Sequence, residues 1–131
     1  MKLMVGYDGS GVALDALKLA FDKAKKYGGE IDVIKSVEQS HTLKYEEIRR
    51  LEQTLENEVK EICDDDSVPY RTHVIVTHQT AGDALVEFAK DQEIEEIIIG
   101  IRRQSKVGKL VFGSTAQHVI LNAHCPVLTI K

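Results

Sequence analysis

Several features that define common protein classes are missing from this chain of 131 residues. It has two cysteines, Cys63 and Cys125, which show neither the paired spacing of a zinc site nor the density of a disulfide-rich fold. No apolar run approaches the roughly 18 residues of a membrane span, and charged Asp8 comes too early for a signal peptide. We therefore expect a single cytoplasmic domain over residues 1–131, with no membrane association and a core that needs no crosslinks.

Signatures of catalysis are also missing. The chain has no Gly-x4-Gly-Lys-Ser/Thr loop, so it lacks the phosphate-binding lysine of P-loop enzymes. Its histidines show neither metal-ligand spacing with a third partner nor a Ser-His-Asp or Cys-His order. We expect all five to lie on the surface or at sheet edges: His41, His73, His78, His118 and His124. The sequence thus predicts a protein that is not an enzyme, with slow, incidental ATP hydrolysis at most.

Acidic residues are absent from residue 101 onward. That segment carries five cations, although the net charge of the whole chain is −4: Arg102, Arg103, Lys106, Lys109 and Lys131. Nucleic-acid binding depends on many phosphate contacts, so this acidic protein is not expected to bind nucleic acid. A local basic loop is either a solvated surface or a site for one small polyphosphate.

Two kinds of apolar pattern alternate along the chain. Short apolar or β-branched segments predict strands at residues 2–7, 31–37, 70–77, 96–100 and 125–130. Apolar residues at three- and four-residue spacing predict a helix in each interval, the last over about 114–123 with Ala116, Val119 and Ile120 buried. This order predicts a Rossmann-like α/β domain, in which helices cover both faces of a five-stranded parallel sheet of order 3-2-1-4-5.

The predicted strand order places a ligand crevice between the first and fourth strands. In such sheets ligands bind beyond the carboxyl ends of the strands, where the winding reverses, and Asp8 and Gly100 stand at these two ends. The basic loop then leads from Gly100 into a helix at Gly113 and Ser114. The free N–H groups at a helix N-terminus suit a phosphate. Asp8 is either a helix cap or a carboxylate that faces a ribose or a metal ion.

The spacing of Gly100, Gly113 and Ser114 resembles the Gly-x2-Gly-x9-Gly-Ser/Thr signature of the universal stress protein (UspA) family. Other segments are similar to the family's first strand and turn, the start of its third helix and its terminal strand: residues 5–10, 82–84 and 125–128. Arg103 stands where the family has its second glycine. An arginine there either strains and fills the phosphate site or supplies a bidentate phosphate partner.

The resemblance implies a stress-response sensor or adaptor that binds ATP or AMP, with or without Mg²⁺. It implies that Asp8 lies at the adenosine, the backbone of Val37 at the adenine edge, and Gly100 at the ribose and phosphates. Gly113 and Ser114 would bind the phosphates. The predicted site also includes four neighbouring residues: Tyr7, Arg102, Arg103 and Thr115.

The pattern of the last predicted strand indicates that two copies of the chain associate. As a sheet edge with apolar residues and unpaired backbone groups, residues 127–130 invite pairing with a second copy, and the resemblance implies the same homodimer. Leu128→Pro is expected to remove one hydrogen bond between the subunits. The alternative to nucleotide binding is a nucleotide-free family member that acts as a dimeric module for docking an unknown protein partner.

Overall fold

The computed structural model describes residues 1–63, 66–101 and 113–131. Strands and helices alternate along the described chain. The strands are β1 (Lys2–Gly6), β2 (Glu30–Glu38), β3 (Tyr70–Thr77), β4 (Glu96–Gly100) and β5 (Val127–Ile130). The helices are α1 (Gly11–Tyr27), α2 (Tyr45–Ile62), α3 (Ala81–Asp91) and α4 (Ser114–Asn122). All strand pairs are parallel and the order is β3-β2-β1-β4-β5, which confirms the predicted fold class.

Helices cover both faces of the sheet. On one face α1 and α2 pack against alternate residues of the central strands, such as Val5 and Val33. On the other face α3 and α4 pack against the residues between them, such as Met4 and Ile34. Because successive side chains of a strand point to opposite faces, β1 and β2 are apolar on both sides, as expected for a buried parallel sheet.

The ends of α1 show how local sequence positions the helix. The Ser10 hydroxyl accepts the N–H of Ala13 at 3.2 Å, so Ser10 is the N-cap. Asp8, which the sequence offered as a helix cap, instead accepts the N–H of Ser10 at 3.0 Å. At the other end Gly28 adopts φ 74° and its N–H donates to the carbonyl of Ala24, which is a common way for glycine to end a helix.

Two helices are less buried than their patterns predict. The predicted burial of Ile120 is wrong: its side chain is 40% exposed, because α4 packs through Ala116 and Val119 and the next residue turns toward solvent. In α2 the apolar residues at helical spacing are buried only at Leu55 and Val59. The first half of this helix therefore lies beyond the well-packed core.

Asp32 explains a polar interruption in β2. Its carboxylate is buried at 1% exposure, yet it accepts hydrogen bonds from Arg71 at 3.2 and 3.4 Å and lies 2.7 Å from Nε2 of His73. Both partners lie on β3. A buried carboxylate is tolerated where it is paired and hydrogen-bonded in this way.

The edge strand β5 has a defined backbone orientation. The carbonyls of Pro126 and Ile130 accept hydrogen bonds from the N–H groups of residues 97 and 101, at 3.0 and 2.7 Å. Backbone groups alternate sides along a strand, so the N–H of Leu128 also points toward β4, while those of Val127 and Thr129 point to the outer edge. The expectation that Leu128→Pro tests pairing between subunits is therefore wrong, because that proline would break the sheet inside one subunit.

No helix within the described segments is both long enough and apolar enough to cross a membrane.

Candidate functional site

A crevice of about 350 Å³ opens at the carboxyl ends of β1 and β4. It lies at the point where the strand order reverses, as the topology predicts. Six of the predicted site residues line it together: Tyr7, Asp8, Gly100, Gly113, Ser114 and Thr115. These residues are far apart in the sequence, and the sheet brings them together because all the strands end on the same side.

The N-terminus of α4 forms one wall of the crevice. Its cap residue, Gly113, provides no side-chain hydrogen bond, and the first turn of the helix contains no acidic residue. The first hydrogen bond within the helix is donated by Gln117 to the carbonyl of Gly113 at 3.0 Å. The N–H groups of Ser114, Thr115 and Ala116 therefore have no acceptor in the helix itself, and the positive end of its dipole lies at the crevice.

The other two helices that begin at this crevice are capped. Ser10 caps α1, and Thr80 caps α3 by accepting the N–H of Asp83 at 3.2 Å. The Asp83 carboxylate further offsets the positive end of α3. The start of α4 is thus the most favourable of these three termini for an external anion.

Gly113 and Gly100 differ in the space around them. A Cβ on Gly113 would meet no atom of the described residues within 4 Å, so this glycine leaves open space at the start of α4. A Cβ on Gly100 would lie 2.8 to 2.9 Å from the side chain and backbone of Val12. Gly100 is therefore required for the contact between β4 and α1, a reason that involves no ligand.

Asp8 and Tyr7 line the β1 side of the crevice. Asp8 is the one carboxylate among the described lining residues. The Tyr7 hydroxyl donates to the carboxylate of Glu58 on α2 at 2.9 Å. Desolvation by burial, followed by this hydrogen bond and the negative charge of Glu58, raises the pKa of Tyr7 to about 12. Tyr7 is therefore a neutral group whose hydrogen is already donated to α2.

On the β2 side the crevice is lined by Lys35 and Ser36, which the sequence prediction missed. Val37, the predicted adenine contact, is half-buried and pairs in register with Val76, one residue beyond the described lining. The available signal was the polar Lys35–Ser36 pair near the carboxyl end of an otherwise apolar strand. Lys35 is also the one cation among the described lining residues.

Some predictions concern residues that the structure does not describe. Arg102 and Arg103, together with Lys106 and Lys109 of the predicted basic loop, lie outside the described residues. Within the described ranges, no three His, Cys, Asp or Glu side chains are grouped so that they could hold a metal ion.

The histidines lie away from the lining of the described crevice. His41, His78 and His124 are exposed, and His73 is bound to Asp32. His118 on α4 places Nε2 at 2.8 Å from Oδ1 of Asp83 on α3. No spacing signal links Asp83 and His118, because their contact depends on how the two helices pack.

Comparison with known proteins agrees with this architecture. The sequence profile described as the universal stress protein family matches residues 1–131. A universal stress protein of Methanocaldococcus jannaschii is 30% identical, with 99% of this chain and 81% of that protein aligned. The structure of a universal stress protein from Archaeoglobus fulgidus superimposes with a TM-score of 0.83 and 32% identity, covering 100% of this chain and 98% of the other. A structure of the universal stress protein from the same organism in complex with dAMP has a TM-score of 0.78 and 29% identity, with coverage of 100% and 98%.

Proposed function

The chain belongs to the universal stress protein family, and from that premise we propose that it binds an adenine nucleotide in the crevice between β1 and β4. The N-terminus of α4, which no described side chain caps, carries this proposal. It presents N–H groups without helical acceptors beside an open glycine, in a crevice at the expected ligand position of this fold. The dAMP complex of the Archaeoglobus fulgidus protein supports the choice of ligand class.

The proposed pose runs across the ends of the strands. The phosphates lie against the N–H groups of Ser114 and Thr115 and the hydroxyl of Ser114. The ribose lies near Asp8, and the base lies toward Lys35, Ser36 and the backbone of Val37. Arg102 and Arg103 add charge-assisted contacts to the phosphates, as the basic composition of their segment favours.

The nucleotide is proposed to be ATP or AMP. Mg²⁺ commonly binds through one or two carboxylates together with substrate phosphates, and Asp8 supplies one carboxylate at the crevice. The residues that line the crevice are thus compatible with a magnesium nucleotide whose phosphates provide most of the ligands. The protein is proposed to act in the cytoplasm as a sensor or adaptor that responds to occupancy of this site. It is proposed to hydrolyse ATP slowly at most.

A homodimer through β5 is the second part of the proposal. The outer edge of β5 directs the N–H groups of Val127 and Thr129 away from the sheet. Two-fold antiparallel pairing with a second copy would give these groups acceptors in a self-complementary interface.

The test is to denature purified protein and to identify adenine nucleotides in the supernatant by chromatography and mass spectrometry. Protein from which nucleotide has been removed is then titrated with ATP, AMP and adenosine by calorimetry. We expect retained nucleotide or binding of ATP and AMP that is tighter than binding of adenosine. If neither phosphate-containing ligand binds, the proposal fails, and the nucleotide-free dimeric module for an unknown protein partner becomes the better interpretation.

A further inference from the structure

One contact between polar side chains joins the two helices that wall the crevice. His118 Nε2 lies 2.8 Å from Oδ1 of Asp83, and the other carboxylate oxygen of Asp83 accepts the hydroxyl of Thr80 at 2.9 Å. On the opposite side of the imidazole, Nδ1 lies 3.3 Å from the side-chain amide of Asn122. Both ring nitrogens of His118 therefore have polar partners, one on α3 and one on its own helix.

Gly82 on α3 leaves the space that the side chain of His118 occupies. A Cβ on Gly82 would lie 2.8 to 2.9 Å from the Cβ and ring atoms of His118. Any larger residue at position 82 would push the histidine, and the turn of α4 that carries it, away from α3. The close approach of the two helices and the contact between His118 and Asp83 therefore depend on each other.

This contact lies next to the proposed phosphate site. Asp83 is two residues from Ala81, which lines the crevice, and His118 is one helical turn from Ser114, which does the same. The nine residues of α4 bury only Ala116 and Val119 fully. Because this apolar anchor is small, contacts with α3 contribute a large share of what holds α4 in position.

We propose that His118 and Asp83 form a positioning pair that holds α4 where the N–H groups of its first turn meet the nucleotide phosphate. The inference rests on the proposed function and extends it. The N–H groups of α4 contact the phosphate, and the pair holds them in place without touching the ligand. Both side chains are partly exposed, at 35% and 46%, so the pair is a modest contributor rather than a requirement for folding.

The first test separates phosphate binding from the rest of the ligand. The affinities of AMP and adenosine are measured by calorimetry for the parent protein, His118→Ala and His118→Gln, the last of which keeps a side-chain N–H donor. We expect His118→Ala to weaken AMP binding by roughly 1.5- to 5-fold, as for a partly exposed pair of polar side chains, and to leave adenosine binding unchanged. His118→Gln should recover part of the loss. The control, His124→Ala, removes an exposed histidine just beyond α4 and should leave the AMP-to-adenosine ratio unchanged.

The second test needs no nucleotide. Hydrogen exchange in the ligand-free protein should show faster exchange of the α4 amides in His118→Ala, with unchanged exchange in β1 and β4. Unchanged α4 exchange would overturn the inference whether or not the parent binds AMP, and so would an unchanged AMP-to-adenosine ratio in a protein that binds both. If the parent binds no AMP while α4 exchanges faster in the variant, the positioning of α4 by His118 stands and the proposed function alone is lost.

Discussion

Gly113→Val tests the proposed phosphate site most directly, because the structure separates its effect on folding from its effect on binding. Gly113 has φ −62°, which a valine also adopts, and a Cβ there would meet no described atom within 4 Å. Among the described residues, nothing obstructs this side chain. The expected cost is about 1 kcal/mol of stability, since valine is a poor N-cap residue.

The effect on binding should be larger. The added methyl groups occupy the space through which a phosphate must approach the N–H groups of Ser114 and Thr115. Each charge-assisted hydrogen bond contributes about 1.5 to 3 kcal/mol. Loss of one such bond corresponds to roughly 10- to 150-fold weaker binding, and loss of both would place binding beyond ordinary calorimetric detection.

The assay compares AMP and adenosine binding by calorimetry in the parent and in Gly113→Val, with urea unfolding to confirm that the variant is folded. Gly11→Val is the matched control. Gly11 also begins a helix, and a Cβ there would likewise meet no described atom within 4 Å, but it does not line the described crevice. Undiminished AMP affinity in folded Gly113→Val would refute the assignment, and an equal loss in Gly11→Val would show that the effect is not specific to the phosphate site.

Three further predictions follow from other parts of the molecule. Arg103→Ala should weaken ATP by about 1.5 to 3 kcal/mol more than adenosine in calorimetry; if Arg103→Gly instead creates binding that the parent lacks, the arginine is an obstruction. Thr129→Pro removes an outward N–H, so light scattering should show a dimeric parent and a monomeric, folded variant, and a monomeric parent at high micromolar concentration would contradict the dimer. Because the pKa of Tyr7 is raised from 10 to about 12, its contribution to stability is complete below pH 10 and is lost as the pH rises through about 12. Ultraviolet titration should accordingly show a late tyrosine ionisation that Tyr7→Phe removes, and an unchanged titration would contradict this assignment.

The fold was predictable because its determinants are periodic. Residues such as Leu17 and Phe21 repeat at helical spacing, and the β-branched segments between helices are short and apolar. Once strands and helices alternate, right-handed crossovers leave few strand orders, and the one predicted is observed. The error at Ile120 arises because periodicity does not determine how deeply a residue is buried. Ile120 continues the apolar pattern of α4 but is 40% exposed.

The candidate site was predictable only where it follows from topology. Asp8 and Gly100 end neighbouring strands, so the sheet must bring them together. By contrast, Lys35 enters the lining through its position on a third strand, and Asp83 meets His118 through the packing of two helices. Contacts of this kind depend on the depth and rotation of each element, which residue types alone do not specify.

The glycines show how one sequence signal can have separate physical causes. Gly100 and Gly113 belong to the same family-like spacing, yet a side chain on Gly100 would strike Val12 whereas one on Gly113 would enter open space. Gly82, outside that spacing, is as restricted as Gly100 because His118 packs against it. Gly100 and Gly82 therefore set how closely α1, α3, α4 and the sheet approach one another. Gly113 has no such contact among the described residues, which is compatible with the proposed phosphate site at the start of α4.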